Sequence, residues 1–120
     1  MTSAPDELRS GSPLPVAEAF DVDGVKRRLG EAGGGYEIVH ASQGLEIGVY
    51  VLMAPEPDRQ QPHVDDEVYI VLEGTGVLEV EGVHIELREG NAAFVPAGAD
   101  HRFSAYEHLS VLVIFERRPR

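Results

Sequence analysis

The chain has 120 residues, no cysteine, and 21 Asp and Glu against 10 Lys and Arg, for a net charge of −11. That length suits one domain with a core of its own. The missing cysteine excludes disulfides and thiolate metal sites, and the acidic balance argues against nucleic acid and anionic membranes as partners.

Residues 1–15 are rich in Pro, Ser and Gly and carry no apolar periodicity, so they read as a flexible N-terminal arm. The first twenty residues lack the basic start and the apolar run of about 7–15 residues that a secretory signal needs. No segment approaches the ~20 apolar residues of a membrane span. A soluble, cytoplasmic protein is expected. Residues 16–35 form a helical lead-in. Val22, Val25 and Leu29 recur at helical spacing, Asp21 is suited to cap the N-terminus, and Gly33-Gly34-Gly35 breaks the chain. The predicted helix is Asp21–Leu29.

From Tyr36 the period changes to two. Tyr36–Ala41 and Leu45–Met53 read as strands joined by Ser42-Gln43-Gly44, and Ala54–Gln61, with two prolines, reads as a loop. Glu67–Leu72 and Val77–Val80 flank Glu73-Gly74-Thr75-Gly76, which has the composition of a hairpin turn. Val83–Leu87, Asn91–Val95, His101–Ala105 and Leu109–Phe115 follow, with Gly or Pro at most corners. Many short strands at near-regular spacing imply an all-β, antiparallel sandwich or barrel over residues 36–116. Alternation turns Val83, Ile85 and Leu87 to one side and His84 and Glu86 to the other, so His84 faces solvent. His40 and His108 have no ligand-like partner at short spacing.

His63 and Glu67 are different. If residues 61–67 are extended, Gln61, His63, Asp65 and Glu67 share one face, which Tyr69 and Val71 continue. Polar ligand types beside Tyr and Val suggest a cavity wall rather than a wet surface. Imidazole plus carboxylate is a ligand set for Fe, Mn, Ni, Cu or Zn. A lone His four residues before a Glu also arises by chance at the edge of an ordinary strand. A second histidine, His101, follows the corner Pro96-Ala97-Gly98-Ala99-Asp100, with Phe103 on its face. No Arg or Lys falls on the inward positions that alternation assigns.

Together the two segments resemble the cupin superfamily, whose first motif runs G-x5-H-x-H-x3,4-E-x6-G and second G-x5-P-x-G-x2-H-x3-N. His63, Glu67 and Gly74 match the first motif; Gly90, Pro96, Gly98 and His101 match the second. Three positions depart. Pro55 stands for the opening glycine, Gln61 for the first histidine and Ala105 for the final asparagine. The resemblance implies a small RmlC-like, jelly-roll (double-stranded β-helix) barrel. It implies a divalent transition metal (Fe, Mn, Ni or Zn) held by His63, Glu67 and His101, with Gln61 as an optional fourth ligand. Tyr69 and Phe103 are the expected substrate-binding residues. The implied chemistry on a small organic molecule is of dioxygenase, isomerase, decarboxylase or lyase type. The alternative is a non-catalytic binding or sensing module with a degenerate metal site.

Two strands are apolar on both faces. Tyr69 and Val71 alternate with Val68, Ile70 and Leu72, and Val111, Val113 and Phe115 alternate with Leu112 and Ile114. A strand with two dry faces needs a cover on each side. A homodimer is expected, with cover by the N-terminal arm in a monomer as the competing arrangement.

Overall fold

Asp21 begins the first element, as its short acceptor side chain suggests: its carboxylate accepts from the Gly24 N–H at 3.0 Å. The computed structural model of the protein describes residues 16–117, so the expected arm at 1–15 lies outside the described residues. Helix α1 spans Val22–Glu31. It stops where Gly33 turns to φ +91 and the Gly34 N–H bonds back to Leu29 O at 2.8 Å. Ion pairs from Arg28 to Glu37 at 2.8 Å and from Lys26 to Glu73 at 3.1 Å tie its polar side to the strands.

Seven strands follow: β1 (Gly35–Ala41), β2 (Leu45–Met53), β3 (Glu67–Val80), β4 (Val83–Arg88), β5 (Ala92–Val95), β6 (His101–Ser104) and β7 (His108–Glu116). All pairings are antiparallel. The path runs β1-β2-β7-β3-β4, with β5 and β6 also paired to β3. This is the expected antiparallel jelly roll. Its core is built from alternate residues of the strands: Tyr69, Val71, Leu78, Leu87, Phe103, Leu109, Val111 and Val113 are all buried. Helix α1 packs on β1 and β2 from outside.

The hairpin expected at 73–76 does not form. β3 runs unbroken for 14 residues and serves two sheets. Its first half pairs with β7 and β5, its second with β4 and β6. The register slips between Val71 and Glu73 opposite β7, so Leu72 is a bulge residue. Gly74 then takes φ +86, and a Cβ there would fall onto the His108 carbonyl oxygen. The glycine therefore lets one strand bend from sheet to sheet while β7 passes close by. The reversal comes later, at Glu81-Gly82, where both residues have positive φ, as a two-residue hairpin turn requires.

Gly74→Ala combines a left-handed alanine with backbone overlap and is expected to cost about 2–5 kcal/mol. Gly82→Ala has a similar φ, but no atom within 4 Å of the added methyl. It is expected to cost about 1–2 kcal/mol. Thermal denaturation of the two variants checks the difference; equal losses would mean that backbone conformation alone, not the approach of β7, selects glycine at 74.

Candidate metal centre

The segment between β2 and β3 is irregular as far as Asp66, so parity along a strand does not aim His63. Backbone bonds to the Pro96–Asp100 corner hold it instead. The Gly98 N–H donates to His63 O at 2.6 Å, and the Ala97 N–H donates to Asp66 Oδ1 at 2.9 Å. These two bonds join the halves of the site. The His63 ring rests edge-on against Phe115 at 4.7 Å and lies 5.9 Å from the His101 ring. Glu67 opens β3 and His101 opens β6, and both are buried. His63, Glu67 and His101 bring one ligand atom each to within 4.8 Å of one another.

The electrostatics of this cluster are unusual. His101 Nδ1 lies 2.9 Å from the Ala99 carbonyl oxygen, which can only accept, so Nδ1 carries the proton. In the neutral ring, Nε2 then presents a lone pair, and it faces Glu67 Oε1 at 3.0 Å. Both oxygens of the Glu67 carboxylate are sealed from solvent and, among the described residues, neither meets a donor in good hydrogen-bond geometry, although the Tyr69 hydroxyl and His101 Nε2 lie close enough to interact with it. Two acceptors in contact inside a protein need a proton or a metal ion between them. A proton shared by the pair is one solution, and a divalent cation is another. Burial pushes the imidazole pKa down from 6.5, but the Glu67 carboxylate and the Ala99 carbonyl raise it by more, so the net shift is upward. The donor set, two imidazoles and one carboxylate, suits a first-row divalent metal. The fixed Nδ1–H tautomer is the outer-shell arrangement that orients a histidine ligand.

The cluster opens on a cavity of about 570 Å³, a size suited to a small organic molecule. Tyr36, Tyr50, Tyr69, Val113 and Phe115 contribute to its apolar wall, and Gln60, Glu46 and Arg59 add polar groups. Tyr69 is placed as expected. Phe103 is not: it packs edge-on behind Tyr69 at 4.7 Å, in the core and away from the cavity. Gln61 is exposed and does not line the cavity, whereas its neighbour Gln60 does. Arg59, also from the loop, adds a cation to a wall that was expected to have none. His84 is solvent-exposed as predicted, His108 Nε2 lies 3.1 Å from Ser110 Oγ, and His40 is paired to Glu18. Tyr36 and Tyr50, two more lining residues not foreseen, face each other across β1 and β2, and the inward parity of Leu52 on β2 would have found Tyr50.

Residues 49–115 match the family model described as "Cupin domain". The chain belongs to the cupin family. An uncharacterized protein of Streptomyces coelicolor is 33% identical over 82% of this cupin and 94% of its own length. An acireductone dioxygenase of Leishmania major is 30% identical over 71% of the chain, and the match spans 27% of that longer protein. Among solved structures, the TT1209 protein of Thermus thermophilus superposes with a TM-score of 0.72 at 28% identity, covering 86% of this chain and all of that one. An RmlC-like cupin from Shewanella frigidimarina superposes with a TM-score of 0.65 at 20% identity, over 73% of this chain and 79% of that one, and speaks for the fold alone. Among the described residues of this cupin, no helix is long and apolar enough to cross a membrane.

Proposed function

We propose that this cupin holds one divalent first-row metal at His63, Glu67 and His101, and acts there on a small organic molecule. The observation that carries the proposal is the sealed Glu67 carboxylate without a well-formed donor, set against the lone pair of His101 and within reach of His63. A bound Fe, Mn, Ni or Zn would supply a Lewis acid with positions open to substrate or to oxygen. The protein's own groups then bind and orient. Burial, followed by the Glu67 charge, raises the Tyr69 phenol above its usual range, so it stays a neutral hydrogen-bonding group at working pH. Phe115 and Val113 give the cavity an apolar wall, with Phe115 against the His63 ring. Arg59 at the mouth is placed to meet an anionic part of the substrate.

Dioxygenase- and lyase-type chemistry is the reading we favour. The acireductone dioxygenases of Leishmania and a segment of the dimethylsulfoniopropionate lyase DddW of Ruegeria pomeroyi, 40% identical over 43 residues, are among its relatives. The competing reading is a binding or sensing module without turnover. It draws on the exposed position of Gln61, where the family motif has a ligand. Metal analysis of protein purified without added metal separates them. Close to one metal ion per chain supports the metalloprotein. A metal-free protein carrying a small organic molecule, detected by native mass spectrometry, supports the binder.

Proton and metal compete for the same nitrogen of His101, which fixes the sign of the pH dependence. Metal affinity is expected to be level above the raised pKa of His101 and to fall about tenfold per pH unit below it. The metal-free protein should behave oppositely. A histidine whose folded pKa is raised stabilises the fold fully below its unfolded value near 6.5, and that contribution is lost as pH rises through the folded value. Melting temperatures with and without metal, measured from the ordinary histidine pKa upward, should therefore diverge as pH rises. Parallel curves would show that His101 does not exchange proton for metal.

A further inference from the structure

Asp58 lies in the loop between β2 and β3, outside both cupin motifs, yet four donors converge on it. Oδ1 accepts from the Tyr50 hydroxyl at 2.7 Å and the Gln60 N–H at 3.3 Å. Oδ2 accepts from the Phe103 N–H at 2.8 Å and from Gln60 Nε2 at 2.5 Å. One carboxylate thus ties the loop to β2 and to β6. It also settles which way the Gln60 amide points. A carboxylate accepts only, so the NH2 group must face Asp58 and the carbonyl oxygen must face away. That oxygen, Oε1, accepts from the Tyr69 hydroxyl at 2.8 Å, and the same hydroxyl lies 3.1 Å from His101 Nε2. The Gln60 oxygen is therefore a single hydroxyl away from a metal-ligating nitrogen, on the wall of the cavity that His63 and Glu67 also line. A carbonyl oxygen has two lone pairs, and Tyr69 uses one.

Resting on the metal reading above, we propose that Gln60, anchored by Asp58, supplies the fourth protein donor of the site through Oε1. The sequence motif puts this donor at residue 61, but the irregular loop shifts the inward position by one. The resulting set is two imidazoles, one carboxylate and one neutral amide oxygen. It is harder than a three-histidine set and leaves a bound divalent ion with one net positive charge. That favours Fe(II) or Mn(II) over softer ions and suits a substrate that binds through an anionic oxygen. Asp58 acts through Gln60. It is a positioning residue, since it polarises the amide and holds its orientation.

Co(II) substitution tests the assignment, because the visible bands of this ion report its donor set without any turnover. Wild type, Gln60→Leu and Gln61→Leu are titrated with Co(II) under identical conditions. Gln60→Leu is expected to lower affinity tenfold or more and to move the visible bands. Gln61→Leu should do neither. Gln60→His is expected to restore affinity and to add nitrogen character to the spectrum, a rescue that a merely structural role would not give. If Gln60→Leu does not fold, Gln60→Asn, which withdraws the oxygen by one methylene, should give the same loss. Unchanged bands and affinity in folded Gln60 variants, with wild type binding Co(II), would overturn this proposal alone. A wild-type protein that takes up no Co(II) would overturn the metal reading with it.

Discussion

His101→Ala is expected to abolish stoichiometric metal binding, with an affinity loss above about 100-fold, since even outer-shell partners of a metal are worth about 10–100-fold. The same substitution should also weaken the metal-free protein. It removes a buried ring that bonds to Ala99 O and faces Glu67, and leaves a sealed carboxylate with no positive charge nearby. Breaking one side of a buried charged pair costs about 3–5 kcal/mol. Glu67→Gln separates the two roles. It removes the only carboxylate of the cluster and should also abolish metal binding. Its amide can donate to the His101 lone pair, so the metal-free fold should be as stable as wild type or more so. Calorimetric melting and metal titration of both variants give the check. If Glu67→Gln destabilises the metal-free protein as much as His101→Ala does, the carboxylate serves the fold and not a metal. If His101→Ala and His63→Ala both retain metal, the site lies elsewhere.

Glu67 and His101 could be read from sequence because each opens a strand in a motif of fixed spacing. Gly90 and Gly98 take φ +91 and +79, left-handed values that make glycine the favoured residue at the two corners of the second motif. The motif is thus partly a record of backbone geometry. Ala105, which stands where the family has asparagine, has φ +52, a conformation asparagine tolerates better than alanine. The loop before β3 was not legible in the same way. Alternation holds only while a strand lasts, and residues 57–66 belong to none. His63 reaches the site through the bond from Gly98 to its carbonyl oxygen, and Gln60 through Asp58; neither contact has a sequence period. The continuity of β3 was hidden for a related reason. Gly-Thr-Gly has the composition of a turn, and only the approach of His108 on β7 shows that Gly74 is required inside a strand. Phe103 was aimed correctly inward, but Tyr69 stands between it and the cavity.

The second large effect concerns the outer surface. On β3, Val68 is opposite Phe94 of β5 and Ile114 of β7, and Ile70 is opposite Ala92 and Leu112. Residues paired directly across antiparallel strands point to one face. This gives two apolar rows on the side away from the cavity. Helix α1 lies over β1 and β2, where Val49 and Val51 on that same outer side are fully buried. It does not seal the rest: Val68, Ile70, Leu112 and Ile114 are half-buried and Phe94 is 58% exposed. In the lead-in, Val16 is 88% exposed, and the Phe20 ring packs beside His40. We propose that a second copy of the chain covers these rows in a two-fold pair, the default symmetry for a self-complementary patch. Ile70→Glu puts a carboxylate in the middle of the patch. In a monomer the change cannot alter the mass of the species in solution. In a dimer it buries an unpaired charge, at about 3–5 kcal/mol, and should raise the dissociation constant more than about 100-fold. His84→Ser, on a solvent face of β4, should leave assembly unchanged. Sedimentation velocity across a range of micromolar concentrations decides the matter. A wild-type mass of one chain at every concentration would defeat the dimer and leave cover by residues 1–15 as the remaining arrangement, in which case deleting that segment should expose the face and lower solubility.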